Sequence, residues 1–167
     1  MDIQALVAAQ RAYFNTGATL PLAARKAALK RLRGTIKANE ADISAVLRAD
    51  LNKSPTESYM CEVGLTLSEL SFVEKRLARW MADRPRPTPL AQFPARSFTA
   101  VSPYGVVLIM SPWNYPFLLT MEPLIGAIAA GNCAVVKPSA YSPAASAVIR
   151  DILAECFPAE FVSVVEG

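Results

Sequence analysis

Apolar residues recur at helical spacing through the first 80 residues of the chain. The pattern predicts helices over residues 2–14, from Pro21, from Asn39 or Ala41, and from Pro55 to about Trp80. Proline fits the first turn of a helix, because its missing N–H has no partner to lose there. The last of these helices carries an apolar stripe of Tyr59, Val63, Leu67, Leu70, Val73 and Leu77. We therefore predict a helical region over residues 1–83.

A run of alternating prolines follows this helical region. The segment Arg84-Pro85-Arg86-Pro87-Thr88-Pro89 cannot form a helix, because proline lacks the N–H that the helix needs and favours an extended backbone. Residues 96–101 then alternate like an exposed strand, which is typical of the return arm of a hairpin. We predict that residues 84–102 form an extended arm, at a sheet edge or between two subunits.

From Gly105 the apolar residues change to short continuous runs. The predicted elements are a strand over Val106–Met110 that is buried on both faces, a helix to about Ala130 ended by Gly131, a strand over Cys133–Val136, a helix over 142–156 and a strand over Phe161–Val165. Ser142 is predicted as the N-cap of the second helix, with Pro143 as its first residue. The β-α-β-α-β order over residues 103–167 predicts an α/β fold with an incomplete doubly wound, Rossmann-like parallel sheet. The chain stops at Gly167, where a helix should follow, so we expect the sheet to belong to a longer protein.

Composition and charge restrict the class of protein. Hydrophobic residues make up 53% and charged residues 19% of the chain, which excludes a disordered or fibrous protein. The net charge of +3 is uneven, with 15 basic and 9 acidic residues up to residue 100 and 2 basic and 5 acidic residues after it. We expect the basic residues from Arg25 to Lys37 to cover solvated helix faces. The alternative is that they bind an anionic polymer, with a steep dependence on salt.

The cysteines and the chain start bear on metal binding and location. Cys61, Cys133 and Cys156 lack the spacing of metal ligands, and the chain has no histidine, so we predict no metal site. An odd number of cysteines argues against a disulfide framework and favours the cytoplasm. The start has no basic region typical of a signal peptide. The apolar stretch 117–136 is interrupted by polar residues, glycines and a proline, which favours helix plus strand over a membrane span.

Two polar side chains stand at the ends of apolar strands. Asn114 follows the first strand and Lys137 ends the second, and the carboxyl ends of parallel strands are where such sheets bind ligands. On local sequence alone Asn114 is a good turn residue before Tyr115-Pro116. Its amide could instead donate to a developing oxyanion. Lys137 either extends its charge to water or binds the hydroxyls or phosphate of a cofactor.

Phosphate binding by a glycine-rich loop and catalysis by a cysteine are less well supported by the sequence. The chain has no G-x-G-x-x-G motif and no P-loop, and Gly126 is best explained by close packing of a helix on the sheet. Cys133 is a tempting nucleophile, but it lies inside a predicted buried strand with no neighbouring base. Buried cysteines usually behave as small hydrophobic residues, so we expect a structural role.

The order of motifs after residue 100 resembles the aldehyde dehydrogenase superfamily. The matching segments are Pro103-Tyr104-Gly105-Val106-Val107, Pro112-Trp113-Asn114-Tyr115-Pro116, Gly131-Asn132 and Val135-Val136-Lys137-Pro138-Ser139. The chain is most similar to the class 3 branch, which acts on fatty or aromatic aldehydes. Glu57-Ser58-Tyr59 and Glu62 in the helical region also resemble that branch. The resemblance therefore covers the whole chain.

The resemblance implies roles for particular residues. Asn114 would be the side-chain half of an oxyanion hole, acting on the thiohemiacetal that forms when a cysteine attacks an aldehyde. Lys137 would bind the adenosine ribose of NAD or NADP. The complete cofactor-binding set that we predict is Met110, Ser111, Pro112, Trp113, Lys137, Ser139 and Ala140. The arm over 84–102 would contribute to a homodimer.

The chain also departs from the family pattern. Family members usually carry glutamate where this chain has Ala140, and that carboxylate disfavours the 2′-phosphate of NADP. The family's nucleophilic cysteine and its general base fall outside residues 1–167. We therefore expect an N-terminal fragment of an NAD(P)-dependent aldehyde dehydrogenase that is inactive by itself. The alternative is a non-catalytic, truncated dimerisation or regulatory module. For the chain in general we expect an aldehyde as the small-molecule substrate, no binding of nucleic acid and no membrane span.

Overall fold

The computed structural model describes residues 2–167, which form an α/β fold. The helices are α1 (Ile3–Asn15), α2 (Leu22–Ala38), α3 (Glu40–Leu51), α4 (Pro55–Ser58), α5 (Gly64–Met81), α6 (Leu118–Ala130) and α7 (Pro143–Cys156). The strands are β1 (Arg84–Arg86), β2 (Ser97–Thr99), β3 (Val106–Met110), β4 (Cys133–Lys137) and β5 (Val162–Val164). No helix within residues 2–167 is both long enough and apolar enough to cross a membrane.

One hydrophobic core joins the N-terminal helices to the sheet. Leu29, Leu32 and Ile36 of α2 are fully buried and belong to the same cluster as Ile128 of α6 and Ile149 of α7. The three helices predicted from the periodicity of residues 2–51 are confirmed, and their bounds agree with the prediction within a residue or two. Because the helical layer and the sheet share this core, a change in one layer can be transmitted directly to the other.

The helix predicted from Pro55 to Trp80 is interrupted by one wide turn. A π-helical turn over Tyr59–Val63 joins α4 to α5. The extra residue shifts the buried face, so that Glu62 and Val63 are both buried while Tyr59 is 47% exposed. The prediction that Tyr59 lies on the buried stripe is therefore wrong. Gly64 fits this turn because a Cβ there would lie 2.9 Å from the carbonyl oxygen of Tyr59.

The proline-rich segment folds back as a hairpin. Strands β1 and β2 pair antiparallel, with Pro85 opposite Phe98. The predicted return arm is therefore confirmed, although it is shorter than residues 96–101. The tip carries large exposed apolar side chains, among them Leu90 at 89% and Phe93 at 82% exposure.

The second sheet is parallel, in the order β3-β4-β5, as its β-α-β-α-β sequence predicts. The central strand β4 is buried along most of its length. The expectation that β3 is buried on both faces is wrong, because Leu108 is 62% and Met110 is 71% exposed. A run of apolar residues cannot distinguish a covered edge strand from an uncovered one, and within residues 2–167 these two side chains lack a covering layer.

Helix α6 ends where the sequence predicts. Gly131 has a φ of +90°, the left-handed conformation that closes a helix at glycine. A Cβ at this position would lie 2.7 Å from the guanidinium of Arg25. Arg25 itself is only 7% exposed, and it donates to the carbonyl oxygens of Thr19 and Ala129 at 3.1 and 3.0 Å. The expectation that Arg25 covers a solvated face is therefore wrong, because its guanidinium is buried and binds a carbonyl oxygen at the end of α6.

Two more of the basic residues of α2 make contacts with other parts of the chain. Arg31 donates to the carbonyl oxygen of Cys156 at 2.9 Å, and Arg33 pairs with Glu74 at 2.9 Å. Burial also lowers the pKa of Arg25 from its ordinary value. The basic stripe from Arg25 to Lys37 is therefore engaged, in part, in tertiary contacts.

Helix α7 begins at Pro143 with Ser142 in the N-cap position, as predicted, but the side chain of Ser142 does not cap it. Asp50, from the last turn of α3, caps the helix instead. Its carboxylate accepts from the N–H groups of Ala144 and Ala145 at 3.2 and 2.7 Å. A carboxylate in this place satisfies two unpaired donors and opposes the positive end of the helix dipole.

We predict that Asp50→Ala destabilises the chain by about 1–2 kcal/mol, since two N–H groups at the start of α7 lose their acceptor. Urea denaturation followed by circular dichroism measures the change. Glu160→Ala is the matched control, because Glu160 is an exposed carboxylate in a turn. Equal stability losses in the two variants would contradict the capping role of Asp50.

Candidate active site at the carboxyl edge of the sheet

The carboxyl ends of β3 and β4 lie side by side. Met110 pairs with Lys137 in the parallel register, and the N–H of Ser111 donates to the carbonyl oxygen of Lys137 at 3.2 Å. Paired residues of neighbouring parallel strands direct their side chains to the same face of a sheet. Met110 and Lys137 therefore leave the sheet on one face, next to the turn that carries Asn114.

The turn after β3 presents Asn114 to solvent. Trp113 is 53% exposed, Asn114 is exposed, and Phe117 is buried. Tyr115 has a φ of +51°, which is uncommon for a large side chain and fixes a sharp change of direction directly after Asn114. The side-chain hydrogen bonds around this turn involve the backbone of Pro116, Phe117 and Leu118. Within residues 2–167 the amide of Asn114 takes part in none of them.

A buried carboxylate holds the far side of this turn. Glu62 is fully buried, and its Oε2 accepts from the N–H groups of Phe117 and Leu118 at 2.9 and 3.2 Å. Its Oε1 accepts from Lys53 Nζ at 2.5 Å. The same ammonium lies 3.9 Å from the centre of the Tyr115 ring, within range of a cation–π contact. The Lys53–Glu62 ion pair thus contacts Tyr115, Phe117 and Leu118.

The near side of the turn is held by hydroxyl groups. Ser111 is buried, and its Oγ lies 2.6 Å from Oγ1 of Thr120, which is also 2.6 Å from the carbonyl oxygen of Pro116. Ser111 is therefore part of the packing between β3 and α6. Pro112 beside it is exposed.

The residues after β4 form the other half of the edge. Lys137 is half-buried, and its ammonium donates to the carbonyl oxygen of Gly167. The Oγ of Ser139 accepts from the N–H of Tyr141 at 3.2 Å, and Ala140 is exposed. The structure therefore brings the predicted residues to one edge of the sheet, with Ser111 buried and the others exposed or half-buried.

Sequence reasoning missed Lys53 and the contact that Glu62 makes. The available signal was the position of Glu62 in the buried register of a helix, where a charge needs a partner. Its partners Phe117 and Leu118 are 55 and 56 residues away along the chain, so no local pattern identifies them.

The buried thiols do not fit a nucleophile. Cys133 has no exposed surface, and burial raises its pKa to about 11. Burial likewise raises the pKa of Cys156. A thiol of this kind carries little thiolate near neutral pH, which agrees with the structural role expected for Cys133. Within residues 2–167, His, Cys, Asp and Glu side chains nowhere form a cluster of three that could hold a metal ion.

The family profile described as "Aldehyde dehydrogenase family" matches residues 1–167, the full length of the chain. The chain belongs to the aldehyde dehydrogenase family. It is 45% identical over 157 residues to the 4,4'-diaponeurosporen-aldehyde dehydrogenase of Staphylococcus aureus, covering 94% of this chain and 34% of that protein. It is 39% identical over 166 residues to a "dimeric NADP-preferring" aldehyde dehydrogenase of Canis lupus familiaris, covering 99% and 36%.

A solved structure supports the same assignment. The substrate-bound state of Staphylococcus aureus AldH superposes with a TM-score of 0.96 and 42% identity, over 100% of this chain and 36% of that one. This aldehyde dehydrogenase chain spans about a third of the length of the curated relatives it matches, for example 34% and 36%.

We predict that iodoacetamide modifies Cys61 of the folded aldehyde dehydrogenase chain well before Cys133 or Cys156. Cys61 is half-buried, whereas the other two thiols are buried and disfavour the thiolate. Peptide mapping by mass spectrometry after timed labelling at pH 8 measures the order. Labelling in urea, where all three thiols should react, is the control. Equally fast labelling of Cys133 in the folded chain would contradict its inert role.

Proposed function

We propose that this chain supplies the oxyanion donor and part of the dinucleotide site of an NAD(P)-dependent aldehyde dehydrogenase. The observation that supports it is the exposed amide of Asn114, which has no hydrogen-bond partner within residues 2–167. It lies on a turn that is held from both sides and is adjacent to the end of the Lys137 strand. Membership of the family provides the reaction class, oxidation of an aldehyde to a carboxylic acid.

Asn114 would act on the reacting carbonyl. When a cysteine thiolate attacks an aldehyde, the carbonyl oxygen gains negative charge, and an amide N–H already in place stabilises that charge without further rearrangement. Such a donor contributes ~3 kcal/mol to transition-state stabilisation. The attacking cysteine would come from outside residues 1–167. Cys133 and Cys156 are buried and their pKa values are raised, and Cys61 lies in the π-helical turn of the helical layer rather than at a strand end.

The residues at the sheet edge fit a nicotinamide dinucleotide. Lys137 places a cation where the hydroxyls of a ribose can accept from it, and the exposed faces of Met110 and Trp113 can cover apolar rings. The cofactor, when bound, accepts the hydride from the aldehyde carbon. Ala140 has no carboxylate to repel a 2′-phosphate, so we include NADP beside NAD. Pro112 and Ser139 complete the cofactor-binding set, together with the backbone at Ser111.

The exposed arm fits a contact with a second copy. Leu90, Phe93 and Phe98 offer apolar surface on the β1–β2 hairpin, and a homodimer of the complete protein would cover it. The relative from Canis lupus familiaris is described as dimeric. Three free cysteines agree with a reducing compartment, and we propose the cytoplasm.

We predict that residues 1–167 alone oxidise no aldehyde. The oxyanion donor is present, but the nucleophile is not, so the chemical step is lost. A steady-state assay with NAD or NADP and several fatty and aromatic aldehydes measures this. Turnover above a blank without protein would overturn the prediction.

We predict a large loss of activity for Asn114→Ala in a chimera that joins this chain to the rest of the Staphylococcus aureus relative. Removing one oxyanion donor should lower kcat by about 10²–10³. NADP binding should stay within a few-fold of the parent chimera, because the cofactor does not depend on this amide.

Asn15→Ala serves as the matched control in the chimera, since Asn15 is an exposed asparagine at the end of α1. Its kcat should equal that of the parent. A kcat for Asn114→Ala close to that of Asn15→Ala would remove Asn114 from the reaction.

A further inference from the structure

We propose that Lys53 and Glu62 are positioning residues, which set the direction in which the Asn114 amide points. This inference rests on the proposed function of Asn114. The pair lies in the helical layer, and it contacts the turn at Tyr115, Phe117 and Leu118 rather than at Asn114 itself. Its effect on the site would therefore pass through the backbone of the turn.

The carboxylate of Glu62 divides its two oxygens between different tasks. Oε2 binds two consecutive N–H groups, those of Phe117 and Leu118, which fixes the start of α6. Oε1 binds the ammonium of Lys53. Because both oxygens are occupied, the carboxylate cannot rotate without breaking a bond. These bonds tie the start of α6 to the π-helical turn that precedes α5.

Lys53 extends this control to the residue next to Asn114. Its ammonium lies over the Tyr115 ring at 3.9 Å, and Tyr115 holds the left-handed backbone conformation with φ at +51°. A left-handed conformation persists for a large side chain only where surrounding contacts hold it. The contact with Lys53 is such a restraint, and it acts one residue from Asn114.

The burial of the pair indicates that it contributes more to the geometry of the turn than to the stability of the fold. Side-chain exposure is 9% for Lys53 and 0% for Glu62, so both charges are largely removed from water. The desolvation of a buried pair can cancel its attraction, and apolar residues of the same size often stabilise a core equally well. A directional acceptor for two backbone N–H groups, in contrast, has no apolar replacement.

The backbone of the helical layer is adapted to place Glu62. The π-helical turn over Tyr59–Val63 brings both Glu62 and Val63 into the core, and Gly64 permits the close approach of the Tyr59 carbonyl oxygen. Wide turns of this kind are frequent at functional sites.

The test uses residues 1–167 with Trp80→Phe, which leaves Trp113 as the only tryptophan and a direct reporter of the turn. Emission maximum, anisotropy and acrylamide quenching of Trp113 are compared among variants, and circular dichroism verifies that each is folded. None of these readouts measures turnover. The result is therefore independent of the Asn114→Ala experiment and of the proposed function.

Glu62→Ala should shift the Trp113 emission to the red, lower its anisotropy and raise its quenching constant by up to about twofold, since Trp113 is 53% exposed at present. Glu62→Asp keeps the charge but shortens the side chain by one methylene, and it should change the signals in the same direction. If Glu62→Ala does not fold, the Trp113 signals of Glu62→Asp provide the test instead.

Two further variants separate positioning from general stability. Lys53→Met with Glu62→Gln removes both charges but keeps an acceptor for Phe117 and Leu118. Its Trp113 signals should lie between those of Glu62→Ala and those of the parent, because the backbone acceptor is kept while the contact of Lys53 with the Tyr115 ring is lost. Glu74→Gln breaks the Arg33–Glu74 ion pair, on the same helix but remote from the turn, and should leave the signals unchanged.

Three results would overturn the positioning role. They are unchanged Trp113 signals in a folded Glu62→Ala or Glu62→Asp variant, an equal change in Glu74→Gln, and no recovery in the double variant. The last result would show that the backbone acceptor is not what holds the turn.

Discussion

Two buried or half-buried carboxylates of the helical layer hold the sheet edge in place. Glu62 binds the first N–H groups of α6, and Asp50 binds those of α7. Both helices begin at the carboxyl edge of the parallel sheet, where ligands bind in such folds. The N-terminal helices are thus more than a scaffold, because their carboxylates bind the backbone where the loops at this edge pass into α6 and α7.

This arrangement has a consequence for phosphate binding. The N-terminus of a helix after a strand is a common anion site, because its N–H groups and its dipole both favour negative charge. Here Asp50 and Glu62 already supply that charge. A dinucleotide at this edge would depend on side chains such as Lys137 rather than on these two helix ends. The lack of a glycine-rich phosphate loop in the sequence agrees with this arrangement.

Much of the fold follows from local pattern. The helical periodicity before residue 81, the alternating prolines and the β-α-β-α-β order each predict the element that the structure contains. Most of the errors concern what covers a residue rather than what element it forms. Leu108 and Met110 are apolar but lack a covering layer, and Arg25 is charged but buried by the end of α6. A π-helical turn also shifts the buried register at Tyr59, and no sequence period encodes one extra residue.

The candidate site, like the fold, was predictable from the sequence only in part. Asn114 and Lys137 could be predicted because they stand at strand ends in a recognisable order of motifs. The contacts of Lys53 and Glu62 with the turn could not be predicted, because they join residues that are more than 50 positions apart in the sequence. If the proposed function is right, these contacts are what would hold the turn with the Asn114 amide ready for a carbonyl.

Amide hydrogen exchange of the unmodified chain, followed by NMR, tests the central claim most directly. The N–H groups of Phe117, Leu118, Ala144 and Ala145 lie at helix starts, where such groups lack intrahelical partners and exchange rapidly unless they are capped. If the two carboxylates hold the sheet edge, all four should exchange as slowly as the interior of α6 and α7. Exchange at the rate of an unprotected loop at Phe117 and Leu118 would contradict the account.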